Sequence, residues 1–174
     1  PEVVSLDAVE PSDLGWSLSQ DRRSASRVPV RRVVLDGQRL DAPDAAYDAV
    51  LCTFSLCTIP DAALAAREVH RVLRPGGTMA VSVPRWFPEI VNWKLSDDYH
   101  NVPYGHIRIY SDKELIGKLE NAGLTYDGKD YAHGLHAPYW WIKCAVGVTN
   151  DEHPAVKAYH RLLVWEIMKQ PRAL

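Results

Sequence analysis

The sequence predicts an α/β fold: a mostly parallel sheet in the first half, closed by a cap of helices and aromatic side chains in the second. Short apolar runs at 3–9, 33–35, 47–54 and 78–83 are separated by helical or loop-like stretches, the alternation that gives parallel strands with right-handed crossovers. The run "YDAVLCTF", 47–54, is apolar at consecutive positions, as in a strand covered on both faces. From 84 to 110 the texture changes to "PRWFPEIVNWKLSDDYHNVPYGHIRIY", aromatic and holding three prolines, which reads as an irregular cap with at most one short helix, near 89–95.

In chain order, the first strand spans 3–9 and ends at Glu10, and Pro11 and Ser12 open a helix to about Ala25. The second strand, 33–35, is stopped by "DGQ", Asp36 to Gln38. After the third strand Asp61 caps a helix whose Ala62, Ala65, Ala66, Val69, Val72 and Leu73 share one stripe, a small face suited to close packing. Pro75 ends that helix, Gly76 and Gly77 supply a tight exit, and a strand begins at Thr78. Ser111 with Glu114 forms a capping box, Leu115, Ile116, Leu119 and Ala122 make the buried stripe behind it, and Gly123 is the stop. Residues 124–131 read as a strand, "HAPYWWIKCAVGV" suits helix or strand, and Pro154 opens a last helix to about Lys169, before Pro171. That helix is apolar around much of its girth, so it is covered either by residues outside the sequence or by a partner chain, a homodimer among the choices. The whole is one domain, 1–174, with 1–84 forming the sheet half and 85–174 the cap, C-terminal helices and strand.

The 174 residues are 47% hydrophobic and 24% charged with a net charge of -2, which suits one globular domain with a real core and offers no global pull toward nucleic acid or an anionic membrane. No apolar run approaches the ~20 residues that span a bilayer. Cys52, Cys57 and Cys144 are an odd number without metal-type spacing, so a reducing cytoplasm is the expected home. The chain opens inside a strand with no initiator Met, so residues are expected upstream.

In open parallel sheets ligands bind beyond the carboxyl ends of strands. At the first such end the Glu10 carboxylate suits both hydroxyls of a ribose, or serves the dipole of the following helix. At the second, Asp36 could accept from an adenine amino group, with Gly37 admitting the ring, or "DGQ" is a plain turn. At the third, "CTFSLCTIPD" places Thr53, Phe54 and Ser55 along a pocket floor. Cys52 and Cys57 are better read as small buried hydrophobes than as nucleophiles. In the cap, His106 could take a proton and Arg108 bind an acidic group, and "GHIRIY" alternates so that His106, Arg108 and Tyr110 share one face. Tyr99 and His100 lie nearby. His133 and His136 have ligand spacing but no third partner, and no metal is expected.

"VEPSDLG", "DGQRLDAPDAAYDAVLCTFSLCTIPD" and "EVHRVLRPGG" together resemble class I S-adenosylmethionine-dependent methyltransferases of the ubiquinone/menaquinone-biosynthesis type. The resemblance runs over about 3–83. It implies a Rossmann-like sheet, S-adenosyl-L-methionine as cofactor, Glu10 on the ribose, Asp36, Gly37 and Gln38 around the adenine, and Thr53, Phe54, Ser55 and Leu56 beneath the methionine part. Cys57 stands where many members have His. The family's first strand and glycine-rich loop fall before Pro1, so the sheet is expected to be incomplete. The second half resembles small-molecule members of the same superfamily. The implied activity is methyl transfer to O, S or C of a small apolar or lipid-like acceptor by way of His106, Arg108 and Tyr110. The alternative is a truncated, non-catalytic module serving as a dimerisation or scaffold unit.

Overall fold

The computed structural model describes residues 2–34, 36–101, 105–132 and 134–169. The expected alternation is present. In order come β1 (Leu6–Val9), α1 (Asp13–Leu18), α2 (Gln20–Ser24), β2 (Val30–Val34), β3 (Tyr47–Thr53), α3 (Ala62–Val72), β4 (Leu73–Ser82), α4 (Trp86–Leu95), a 3₁₀ turn (Asp97–Tyr99), α5 (Asp112–Glu120), α6 (His136–Val146) and α7 (Pro154–Lys169). Among the described residues the strands form two parallel pairs, β1 with β2 and β3 with β4, rather than one continuous sheet. Two side chains tie the pairs together. The Tyr47 hydroxyl at the start of β3 donates to Asp7 of β1 at 2.9 Å, and beyond the other ends Gln38 accepts from the Asp61 amide at 2.7 Å. One tie lies before the strands and one after them, so β1 to β4 run the same way and their carboxyl ends share one edge. The architecture is α/β, with a parallel sheet that is incomplete among the described residues.

Each boundary has a local cause. Ser12 accepts from the Gly15 amide and starts α1, but the predicted helix to Ala25 breaks at Ser19, whose hydroxyl turns back to the Trp16 carbonyl at 2.8 Å, the side-chain competition that makes serine a poor helix interior residue. Asp61 caps α3 through the Leu64 amide, and Ala62, Ala65, Ala66, Val69 and Val72 are buried, as the stripe requires. The first strand is shorter than 3–9, because only 6–9 find partners on β2. The second begins earlier, at Val30, while Leu35 lies outside the described residues.

Four expectations are corrected. β4 begins at Leu73, not Thr78: Leu73 pairs with Tyr47, and 74–77 loop out before Thr78 resumes opposite Ala49. Gly76 takes φ +78°, and a Cβ on Gly77 would lie 2.9 Å from the Arg74 carbonyl and 3.0 Å from that of Asp48, so "RPGG" is a glycine-dependent bulge inside the strand register. The cap helix starts at Trp86, three residues before Glu89. Residues 124–131 form no strand; Lys129 and the Tyr131 hydroxyl bond Asp112 of α5 instead. The ambiguous "HAPYWWIKCAVGV" is helical, packing as α6 between α4 and α7. The capping box at Ser111 and Glu114 and the last helix from Pro154 are as expected, with Gly123 at φ +98° closing the former.

The core joins α3 to the loop after β3 and to the cap: Leu56, Cys57, Ala62, Ala65 and Tyr110 cluster, with Leu115 and Leu119 of α5 against them. Ala66 is fully enclosed, so Ala66→Leu should overpack α3 and cost about 1–3 kcal/mol, measurable as an earlier denaturant midpoint with unchanged m-value; no change would show that this face is not close-packed.

Candidate functional site

The segment after β3 is where the two halves meet. Past Thr53 the chain turns through Phe54, a non-glycine residue at φ +52°, a conformation that costs about 1–2 kcal/mol and is held by its surroundings. The Phe54 amide donates to the Ser82 carbonyl at 2.9 Å, so the twist sits at the last rung of the β3–β4 ladder. Ser55 donates to the Thr53 carbonyl, and the Ser55 carbonyl accepts from Thr58 and Ile59. Phe54 is 55% exposed while Leu56 is 1% exposed. Of the predicted floor, Thr53 and Phe54 are therefore exposed, Ser55 is half-buried and the Leu56 side chain belongs to the core.

The segment carrying His106, Arg108 and Tyr110 lies on this loop as a strap. The Ile107 amide donates to the Cys57 carbonyl at 3.0 Å. The Arg108 guanidinium donates to the carbonyls of Leu56 (2.8 Å), Ile59 and Pro60 (2.6 Å). Tyr110, buried, donates its hydroxyl to the Leu56 carbonyl at 3.3 Å. The alternation seen in "GHIRIY" thus brings the three side chains to one face as expected, although the segment is not a strand. Arg108 is occupied by backbone oxygens rather than presented to an acidic ligand.

His106 meets a buried acid. Its Nδ1 lies 2.5 Å from Oε1 of Glu89 on α4, and the other oxygen of Glu89 accepts from the Tyr99 hydroxyl at 3.2 Å. The Glu89 side chain is 3% exposed. Hydrogen bonds to Cys57 and to Glu89 push His106 up to about 10 from an ordinary 6.5. Burial, then the Glu89 charge, pushes the Tyr99 phenol up. Sequence reasoning missed Glu89. The signal was present as a lone acid in the apolar helix "WFPEIVNW", one turn before the equally buried Asn92, since an acid on a buried helix face needs a partner.

The other predicted residues stand beyond the strand ends. Glu10 follows β1 and accepts from the Ser12 amide at 2.7 Å, at the entry to α1. Asp36 follows β2 and accepts from both the amide and the side chain of Gln38 (2.8 and 3.0 Å), which hold its carboxyl below the usual range. A Cβ on Gly37 would come within 3.1 Å of Ile59, so "DGQ" packs directly against the loop after β3. One groove of about 670 Å³ is bordered by Arg108, Tyr110, Lys113 and Gly117, and another of about 580 Å³ by Arg39 to Ala42 and Arg71; neither is lined by Glu10 or Asp36. His133 lies outside the described residues.

Residues 3–81 match the family model described as Methyltransferase domain. This part of the chain is similar to that family. A ubiquinone/menaquinone biosynthesis C-methyltransferase of Caulobacter sp. (strain K31) is 34% identical over 108 residues, 51% of this chain and 43% of the relative. A sterol 24-C-methyltransferase of Eremothecium gossypii is 32% identical over 95 residues, 53% of this chain and 23% of the relative. The chain thus spans less than half the length of these curated methyltransferases. A Bacillus halodurans protein described as a candidate methyltransferase superposes with TM-score 0.59 at 19% identity, over 99% of this chain and 71% of that one, which shows the fold.

Two outcomes follow from the strap. Arg108→Met should cost about 1.5–3 kcal/mol, since hydrogen bonds from a charged donor are lost and buried carbonyls left unpaired; equal stability by urea titration would show the guanidinium to be ornamental. His106 is raised in the folded state, so its contribution to stability is full below pH 6.5 and lost as pH rises through about 10. The unfolding free energy of the wild type should fall across that window more steeply than that of His106→Asn.

Proposed function

We propose that this chain forms the core of an enzyme that moves a methyl group from S-adenosylmethionine to a small apolar or lipid-like acceptor at O, S or C. The observation that carries the reading is the strap: it sets the ionisable His106 against the loop after β3, where the family resemblance places the methionine end of the cofactor. The strand tips suit the rest of that molecule. Glu10, Asp36 with Gln38, and the Phe54–Ser55 turn follow three parallel strands whose ends share an edge, the position at which such sheets take nucleotides. We assign the ribose hydroxyls to Glu10 and the adenine neighbourhood to Asp36, Gly37 and Gln38. The acceptor class follows from the relatives, one named for quinone biosynthesis and one for a sterol, and from aromatic side chains near His106: Tyr99 meets both His106 and Trp140 edge to face.

Held by Glu10, Asp36 and the turn after β3, S-adenosylmethionine would supply an electrophilic sulfonium methyl and leave as S-adenosylhomocysteine, the proton of a protonated acceptor passing to solvent. This chain's share is alignment and exclusion of water. Thr53 to Ser55 line the cofactor side and His106 meets the acceptor, while Arg108 and Tyr110 hold the two together through the Leu56 carbonyl.

A scaffold role is the second reading, favoured by Leu51 of β3, 74% exposed, and Trp165 and Met168 of α7, 57% and 73% exposed. Calorimetric titration of S-adenosylhomocysteine into the chain separates the two. Binding should be saturable, and Glu10→Ala should weaken it by about tenfold or more, the loss of a charge-assisted hydrogen bond; no heat with any form would favour the scaffold.

A further inference from the structure

Resting on the reading just given, we infer that Glu89 is the positioning residue of the acceptor site: its buried carboxylate, braced by Tyr99, keeps His106 as an oriented imidazolium, which meets the acceptor as a hydrogen-bond donor and not as a base. The geometry requires a charged partner. A carboxylate 3% exposed in an apolar helix is expensive unless paired. The His106 Nδ1 at 2.5 Å gives that partner, and the Tyr99 hydroxyl occupies the second oxygen at 3.2 Å.

Every element packed against the ring contributes. α4 brings Glu89, the 3₁₀ turn brings Tyr99, the loop after β3 brings the Cys57 thiol, and α6 places Cys144 on Asn92, one turn along α4 from Glu89. Burial pushes the phenol further from ionising. Cys57 donates its thiol to the Phe54 carbonyl at 3.1 Å. Cys57 ranks ahead of Glu89 among the influences raising His106, so the two must be separated by experiment; the 2.5 Å contact singles out Glu89. The His106 ring remains 20% exposed, which leaves it an open face.

The pair also explains why α4 has this sequence. Replacing a buried ion pair by apolar residues is often neutral or stabilising, so this pair gains its value from orientation. With Nδ1–H committed to Glu89, the ring plane is fixed and Nε2–H is the donor left for the acceptor, the arrangement that makes a His–carboxylate pair useful at a reacting centre.

The test is an NMR titration of the His106 ring in the wild type, Glu89→Gln and Cys57→Ala, read beside methyl transfer to a quinol acceptor. In the wild type the ring should carry both protons at pH 8. Glu89→Gln should lower its midpoint by roughly two pH units or more, toward the ordinary value, and cut kcat about tenfold at pH 8 with the KM for cofactor unchanged; Cys57→Ala should leave the midpoint within about half a unit. A wild-type midpoint near 6.5 overturns the inference without any variant, as does a larger fall in Cys57→Ala than in Glu89→Gln. A titration that behaves as stated while neither variant nor wild type transfers methyl leaves the Glu89–His106 pair standing and removes the enzymatic reading.

Discussion

The contact on which the rest depends is the seating of one arginine. Arg108 directs its guanidinium at the carbonyls of Leu56, Ile59 and Pro60, oxygens that the loop after β3 cannot satisfy from within. A loop turning away from a strand end carries more acceptors than its own amides can serve, and a half-buried loop must find donors elsewhere. A planar fork with five N–H groups serves several at once. That single side chain fixes the shape of 53–60, holds the strap at 106–110, and so decides where His106 stands. Tyr110 adds a buried ring and a second bond to Leu56. The cap is attached to the sheet through polar bonds at the site and apolar packing just behind it.

A second constraint acts through the sheet. With β1–β2 and β3–β4 as separate pairs, the ladders alone do not fix their mutual placement. It is set at the two ends, by Tyr47 on Asp7 before the strands and Gln38 on Asp61 after them. Asp7 is held from a second side by Arg31, with two bonds of 2.9 Å. Near the amino ends of β3 and β4, Arg71 of α3 gathers the Leu40 and Ala42 carbonyls, Asp44 and Glu68, and so ties the loop after β2 to the helix after β3. Polar side chains thus do between the pairs what backbone ladders do within them. The consequence is visible in burial: Leu51, in a run that reads as buried on both faces, is 74% exposed.

What could be read from the sequence follows from the range of the interaction that fixes each feature. Asp61 and the Ser111–Glu114 box are bonds across three residues, and the alanine stripe of α3 is a periodicity within one helix, so both are written in adjacent letters. The shared face of His106, Arg108 and Tyr110 is a period-two pattern and was equally legible, though not that its target is a loop 50 residues earlier. Features set across the fold were misread. "RPGG" looked like a turn because proline and glycine end helices, yet Tyr47 recovers Leu73 into the ladder and makes a bulge of it. Residues 124–131 had strand composition, yet Lys129 and Tyr131 turn to Asp112 of α5. Glu89 is the sharpest case, since its meaning lies in His106, 17 residues on, and in Tyr99.

The same comparison shows where strain and charge have been placed. Phe54 at φ +52°, the Glu89–His106 pair and the three carbonyls on Arg108 are the features of this chain most costly to a fold, and all lie within the junction of 53–60 with the cap. Outside the junction Ala45 also takes a left-handed φ of +54°, and much of the rest uses undemanding parts: an alanine-faced helix, capped starts, surface ion pairs such as Arg74 with Asp48, worth little individually. Costly conformations persist only where neighbours over-determine them, and here the neighbours hold one another: the strap steadies the loop that bears Phe54, the loop orders the strap that bears His106, and His106 neutralises Glu89. Loss of any one should loosen the other two together, a coupling that simple core packing at the same positions would not produce.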